Sequence, residues 1–324
     1  MAGPQTLRIG TRGSRLAMWQ AETVRDLLQR QHPDLGVEIV VIKTLGDRDT
    51  VTPLVQLGGV GVFTKEIETA LRRDECDIGV HSLKDVPTQL EDDFALVAVL
   101  EREDPRDVIV SRGGGGLDSL PAGARVGSSS LRRRSQLLHR RPDLQFCDLR
   151  GNVQTRLRAV GVHLDEGKAR EGALLDATFL ALAGLKRLGL DQHVSQVLEP
   201  DALLPAPAQG AVGIEVRKSD SRAIARLQVL DHAPTRAVTT AERTFLRTLE
   251  GGCKVPIGAL ATPVAGGLRL EGVVGDLDGR RLYRDAVEGP DPDALGRLLA
   301  DRLRAAGAEA ILADLRALIQ GAPT

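Results

Sequence analysis

The sequence predicts two successive α/β units followed by a smaller α+β domain. Three observations lead there. Over the first 230 residues, short apolar runs alternate with helical patterns. The polar stretch Glu101–Asp107 (EREDPRD), with Pro105 inside it, interrupts that rhythm before it restarts. In residues 231–324 strands joined by a hairpin signal are followed by helices.

Taken in order, Leu7–Gly10 reads as a strand and Ser14–Gln31 as a helix, with Leu16, Trp19, Val24, Leu27 and Leu28 on one face. Val37–Thr44 (VEIVVIKT) is a β-branched strand, Thr64–Arg73 a helix with Thr64 as N-cap, and Ile78–Val80 and Ala95–Leu100 short buried strands. After the break come a strand at Asp107–Ser111, a turn at Gly113–Gly116 and a strand at Val126–Gly127. The Ser130–Arg141 helix, Gln145–Leu149 strand, Asn152–Ala159 helix and Ala177–Leu180 strand complete the unit, with a charged exposed loop at 161–172. This β-α-β order predicts largely parallel sheets. A second crossover is expected near Leu203–Pro207 (LLPAP). The last domain opens with a helix at Thr235–Glu250 and continues with strands at Ile257–Thr262, Leu268–Gly275 and Arg281–Val287. Asp278-Gly279 is the hairpin signal, and helices at Asp293–Ala306 and Ala308–Gln320 follow.

Composition narrows the function. The 324 residues carry 43 basic and 44 acidic side chains, so a globally basic nucleic-acid binder is excluded. Aromatics at 2% leave no stacking platform for single strands. Cys76, Cys147 and Cys253 are odd in number and have no metal spacing, which predicts neither a disulfide framework nor a metal site and fits a reduced, cytoplasmic setting. No secretory leader and no apolar run of membrane-spanning length is read. The excess of Arg over Lys taken as a bare count reads as codon bias; its distribution says more. Residues 125–158 hold nine Arg against Asp143 and Asp148.

Four expected strand ends share a pattern: Thr11-Arg12-Gly13-Ser14, His81-Ser82-Leu83-Lys84-Asp85, Ser128-Ser129-Ser130-Leu131-Arg132-Arg133, and Leu149-Arg150-Gly151-Asn152 leading to Arg156. In open α/β sheets ligands lie beyond the carboxyl ends of strands, and Arg there gives bidentate recognition of carboxylates. Arg134, Arg140 and Arg141 read as surface charges, and His81 as a packed, hydrogen-bonded histidine. Asp85 fits two roles equally, a carboxylate that stabilises positive charge on a reacting group or a cap on the turn at Pro87. Cys253, in Leu249-Glu250-Gly251-Gly252-Cys253-Lys254-Val255-Pro256, reads as a covalent attachment point or as a small buried thiol, the latter being the reading for Cys76 and Cys147. The glycine run at Gly113–Gly116 lacks the pattern of a phosphate loop, which leaves a nucleotide-using transferase without support.

Seven segments together resemble the porphobilinogen deaminase (hydroxymethylbilane synthase) family: Arg8–Ala21 (RIGTRGSRLAMWQA), Asp77–Thr88 (DIGVHSLKDVPT), Val126–Gln136 (VGSSSLRRRSQ), Asp148–Leu157 (DLRGNVQTRL), Ala181–Gly189 (ALAGLKRLG), Gln209–Val216 (QGAVGIEV) and Leu249–Gly258 (LEGGCKVPIG). The resemblance implies a transferase of tetrapyrrole (haem, chlorophyll, corrin) biosynthesis. Such an enzyme condenses four porphobilinogen molecules head to tail, releases ammonia each time and yields hydroxymethylbilane. It implies a dipyrromethane cofactor held by a thioether at the position of Cys253, and a catalytic aspartate at Asp85. The positions matching the cofactor-binding set are Lys84, Asp85, Ser129, Arg132, Arg133, Ser14 and Arg150; those matching the substrate set are Arg12, Arg150, Arg156 and Arg187. It also implies two periplasmic-binding-protein-like α/β domains around a cleft, residues 1–102 with about 207–230 and residues 103–206, plus an α+β domain at 231–324 bearing the attachment cysteine. A monomer is implied, with neither nucleic acid nor membrane as partner and a downstream cyclising synthase as recipient of the product. Three features depart from the family pattern. Gln56 and Val60 stand where a lid commonly carries Lys, the 161–172 segment is longer than in common bacterial members, and Ala208 replaces a frequent Gly. A non-catalytic clamp for an anionic small molecule is the alternative, and it would need neither Asp85 nor Cys253.

Overall fold

The computed structural model describes residues 6–48, 61–164, 174–249 and 255–320. Its thirteen strands are β1 (Thr6–Thr11), β2 (Gly36–Val41), β3 (Ile78–Ser82), β4 (Phe94–Val99), β5 (Asp107–Ser111), β6 (Arg125–Gly127), β7 (Gln145–Cys147), β8 (Ala177–Ala181), β9 (Gln196–Leu198), β10 (Val212–Arg217), β11 (Ile257–Val264), β12 (Gly267–Gly275) and β13 (Leu282–Gly289). They form three sheets, ordered β2-β1-β3-β10-β4, β7-β6-β8-β5-β9 and β11-β12-β13. The chain leaves the first sheet after Val99, enters the second at Asp107, and returns to the first as β10.

The sheets are mixed rather than largely parallel. β1 pairs parallel with β2 and β3, and β6 with β7 and β8. β10 runs antiparallel to β3 and β4, and β5 antiparallel to β8 and β9. The physical reason is the double crossing: β5 and β10 are the strands by which the chain enters the second sheet and re-enters the first. Their direction is set by the crossing, not by a β-α-β step. β9 and β10 had no counterpart among the expected strands.

Helix starts follow the hydroxyl and amide signals. Ser14 Oγ accepts from Ala17 N at 3.2 Å at the head of the Arg15–Gln31 helix, Ser130 Oγ from Arg133 N at 3.4 Å at Leu131–Arg140, and Asn152 Oδ1 from Thr155 N at 2.9 Å at Val153–Arg158. Each such cap contributes about 1 kcal/mol. Thr64 does precede the Lys65–Arg72 helix, but its hydroxyl makes no capping bond.

The cores are aliphatic, as the aromatic count demands. Ile9, Leu28, Ile78 and Ile214 close the first sheet on its helices, while Ile109, Leu137 and Phe179 pack one face of the second. In the third unit Phe245 of the Ala233–Thr248 helix packs with Leu270 and Leu299 between the β11-β12-β13 sheet and the two C-terminal helices. Those helices, Pro292–Leu303 and Glu309–Gln320, meet at a kink at Gly307. Asp278-Gly279 forms the β12–β13 turn with Gly279 at φ +73°, and a Cβ there would sit 2.5 Å from the backbone N of His139. Glycine is thus needed both for the turn and for the close approach of the Leu131–Arg140 helix.

Candidate functional site

The site grows from the carboxyl ends of β3, β6 and β7. β3 ends at Ser82, and Leu83–Asp85 follows as a single 3₁₀ turn, so Lys84 and Asp85 leave the sheet edge side by side. β6 ends at Gly127 and leads through the three serines into the Leu131–Arg140 helix, which carries Arg132 and Arg133 in its first turn. β7 leads to Arg150 and Arg156.

Two of these side chains, Arg132 and Arg133, converge on a group that sequence reasoning missed. Asp107, first residue of β5, is fully buried (0% exposed). Arg132 Nη1 donates to its Oδ2 at 2.6 Å, and Arg133 Nη2 and Nε to its Oδ1 at 2.7 and 3.1 Å. Gln209 Nε2 adds a fourth donor at 3.0 Å. Burial opposes ionisation of this carboxyl, yet Arg132 and Arg133 override it and hold Asp107 well below the usual carboxylate range. The guanidiniums are themselves 6% and 5% exposed. The sequence could have flagged Asp107, since it lies in the polar stretch read as a break. Nothing local names its partners, which sit 25 and 26 residues away.

Gln209 joins the two units. Its Nε2 also donates to Pro105 O at 2.7 Å, and its Oε1 accepts from Lys84 Nζ at 3.1 Å. The chain Lys84–Gln209–Asp107–Arg132/Arg133 thereby runs from the first sheet through the crossover to the second. Burial pushes the Lys84 ammonium down to about 8, against the pull of Asp85 and with the help of Arg133. Burial, followed by Arg133, lowers Arg156 to about 10, with Asp85 opposing. Four cations (Lys84, Arg132, Arg133, Arg156) thus share the space with two carboxylates, Asp85 and Asp107.

That surplus tests whether a dipyrromethane fits. Among the described residues Arg132 Nε and Nη2 make no hydrogen bond, Lys84 spends one of its three donors, and no donor reaches the Asp85 carboxylate. Desolvated cations with spare donors match a polycarboxylate, so the residues present suit that cofactor.

Other expected residues lie at the edges. Ser14 caps its helix, and Ser129 Oγ accepts from Leu149 N at 3.1 Å, leaving both hydroxyl hydrogens to donate. Arg12 stacks over Phe63 at 4.2 Å. Arg187, lowered by burial, donates to Gly210 O at 2.6 Å and lies 5.2 Å over the Trp19 ring. Cys253, Lys254, Gln56 and Val60 lie outside the described residues, as does most of the 161–172 loop. His81 is a packed histidine, its Nε2 3.0 Å from Glu215 Oε2, and among the described residues Asp85 makes no turn-capping bond. Cys76 is buried, which pushes its thiol up to about 12, while Cys147 is half-buried. Arg134 and Arg140 are exposed, and Arg141 is spent on Asp143 and the Leu117 and Leu120 carbonyls.

The crossover is tied to the third unit. Glu242 accepts Arg102 Nη1 and Nη2 at 2.6 and 3.0 Å, Ala208 N at 2.6 Å and Ala261 N at 2.8 Å. Ala208 is fully buried at φ +62°, and Gly210 at φ +90° passes so close to Glu103 that a Cβ would lie 2.3 Å from its carbonyl oxygen. The position where the family often has Gly is therefore a left-handed one occupied here by a strained Ala.

Two family models match the chain. "Porphobilinogen deaminase, dipyromethane cofactor binding domain" covers residues 7–225, and "Porphobilinogen deaminase, C-terminal domain" covers residues 237–305. Porphobilinogen deaminase of Pelobacter propionicus is 48% identical over 314 residues, 96% of this chain and 98% of that protein. That of Desulforudis audaxviator is 50% identical over 311 residues, covering 95% and 97%. Among solved structures, the periplasmic aliphatic sulphonate binding protein SsuA from Escherichia coli is 17% identical with a TM-score of 0.39, covering 76% of this chain and 71% of that one; a likeness at that level carries no argument. With models spanning both α/β units and the third, and relatives matching almost end to end, the chain belongs to the porphobilinogen deaminase family.

Proposed function

We propose that the chain condenses four porphobilinogen molecules head to tail with loss of ammonia, primed by a dipyrromethane joined through a thioether to Cys253. The observation that carries this reading is the desolvated cation cluster at the strand ends of both α/β units, with the Asp85 carboxylate inside it receiving no hydrogen bond among the described residues. Each pyrrole of the growing chain bears two carboxylates, which such a cluster neutralises. In this reading Lys84, Ser14, Ser129, Arg132, Arg133 and Arg150 hold the cofactor, and Arg12, Arg150, Arg156 and Arg187 receive substrate. When bound, the cofactor supplies a pyrrole carbon as the growing end.

Asp85 acts where charge develops. As the aminomethyl C–N bond of a porphobilinogen breaks and ammonia leaves, the pyrrole turns cationic, and a fixed carboxylate in low dielectric stabilises that charge. The same reading divides the chain into 1–102 with about 207–230, 103–206 and 231–324, the first two flanking the cleft.

Intact mass measurement tests the attachment. The purified protein should carry an adduct of dipyrrole mass that disappears in Cys253→Ser. Active protein of unmodified mass refutes the thioether, and unmodified protein that binds porphobilinogen without releasing ammonia supports the binding clamp instead.

A further inference from the structure

The Ala233–Thr248 helix sends one side chain to the turn that presents Asp85. Arg243 Nη2 donates to Pro87 O at 2.7 Å, and its Nη1 to Val86 O at 2.9 Å and Leu83 O at 3.3 Å. Those three carbonyls bracket Lys84 and Asp85. Leu83 O is also the acceptor that closes the turn, receiving Val86 N at 3.2 Å. Among the described residues the turn's backbone is tied to the first sheet by Leu83 N, which donates to Ala211 O at 3.0 Å, while the carbonyls of Leu83, Val86 and Pro87 accept from Arg243.

The choice of residue is costly and therefore informative. Among the described residues no carboxylate reaches Arg243, and burial lowers its guanidinium to about 10, with Arg247 adding to the effect. A largely desolvated cation needs compensation, and among the described residues the carbonyl oxygens of Leu83, Val86 and Pro87 supply it. A guanidinium is planar and rigid, so one group can fix several carbonyls in a set geometry, which an ammonium cannot.

The same helix grips the first sheet a second time. Arg236 Nη2 donates to Val97 O at 2.8 Å while its Nε pairs with Asp231 at 2.7 Å. That grip is at β4, on the far side of β10 from the β3 end that bears Asp85. It supplies an internal control for a role in cohesion alone.

We propose that Arg243 is a positioning residue for the reaction: it sets the Lys84–Asp85 turn and thereby the placement of the Asp85 carboxylate. The assignment rests on the function proposed above only through the role of Asp85. Misplacing a reacting group by about 1 Å costs on the order of 100-fold in rate. In Arg243→Gln, kcat for ammonia release should fall roughly 10–100-fold with KM little changed. Arg243→Lys, which keeps the charge but not the fork, should recover only part of the loss. Amide exchange at residues 83–88 should accelerate in Arg243→Gln, and not in Arg236→Gln, even where both variants lose equal stability. Arg243→Gln with unchanged kcat, or exchange at 83–88 no faster than in Arg236→Gln, overturns the proposal. If the wild-type protein releases no ammonia from porphobilinogen, the function reading fails while the exchange comparison still decides whether Arg243 holds the turn.

Discussion

Replacing Asp107 by Asn removes one negative charge from beneath two buried guanidiniums. In the native protein that carboxylate accepts three hydrogen bonds from Arg132 and Arg133 and one from Gln209, all within 3.1 Å. An amide of the same size cannot offset either charge, and its NH₂ must face a donor. Removing one partner of a buried pair costs about 3–5 kcal/mol, because the other is left uncompensated in low dielectric. Urea denaturation followed by circular dichroism should show Asp107→Asn less stable by that amount at pH 7. The pH dependence has a definite sign. The folded carboxyl lies below its unfolded value of about 3.9, so its contribution is fully present above that pH. As pH falls toward the folded value, the contribution is lost and the gap between wild type and variant closes. A stability difference below about 1 kcal/mol at pH 7, or one that does not shrink under acid, would refute the argument that this carboxylate carries the Arg pair.

Further outcomes follow from the same geometry. Arg132→Ala and Arg133→Ala should yield protein that lacks the dipyrrole adduct by intact mass, or carries it but stalls early in chain growth; normal turnover in both removes them from the site. Lys84, at about 8, sheds its proton as pH rises, so loading of the dipyrrole onto unmodified protein, followed by intact mass, should slow between pH 7 and 9, and Lys84→Arg should flatten that decline. At Ala208, Gly should be neutral to within about 1 kcal/mol, since relieved strain offsets lost rigidity of the unfolded chain. Ala208→Val should cost more than about 2 kcal/mol in thermal denaturation, because a β-branched side chain must then occupy a buried left-handed position.

Much of the local structure was legible. Period-two and period-3.6 patterns located most strands and helices to within a few residues; the capping at Ser14, Ser130 and Asn152 came from the structure, and Thr64, the one N-cap expected, makes no capping bond. Asp278-Gly279 specified its hairpin because the turn between β12 and β13 needs one left-handed residue, which Gly279 supplies at φ +73°. The cationic strand ends were legible too, since a β-strand followed by a hydroxyl and Arg cluster is a local pattern. Arg132 and Arg133, expected as carboxylate receptors, proved engaged already: Arg132 spends Nη1 on Asp107 and Leu204 O, and Arg133 spends Nε and Nη2 on Asp107 and Nη1 on Phe179 O.

Local sequence was enough for most elements (β9 and β10 excepted), for the turn chemistry and for which side chains stand at the strand ends, because each depends on neighbours within about one helical turn or one strand pleat. The tertiary structure alone decided the direction of β5 and β10, the pairing of Asp107 with its two arginines, the Gln209 link to Lys84 and the grip of Arg243 on the Asp85 turn. Those contacts join residues separated by 25 to 160 positions. A charged side chain carries no local mark of its partner: burial sets the cost of leaving it alone, and only the closed fold brings the compensating group within reach.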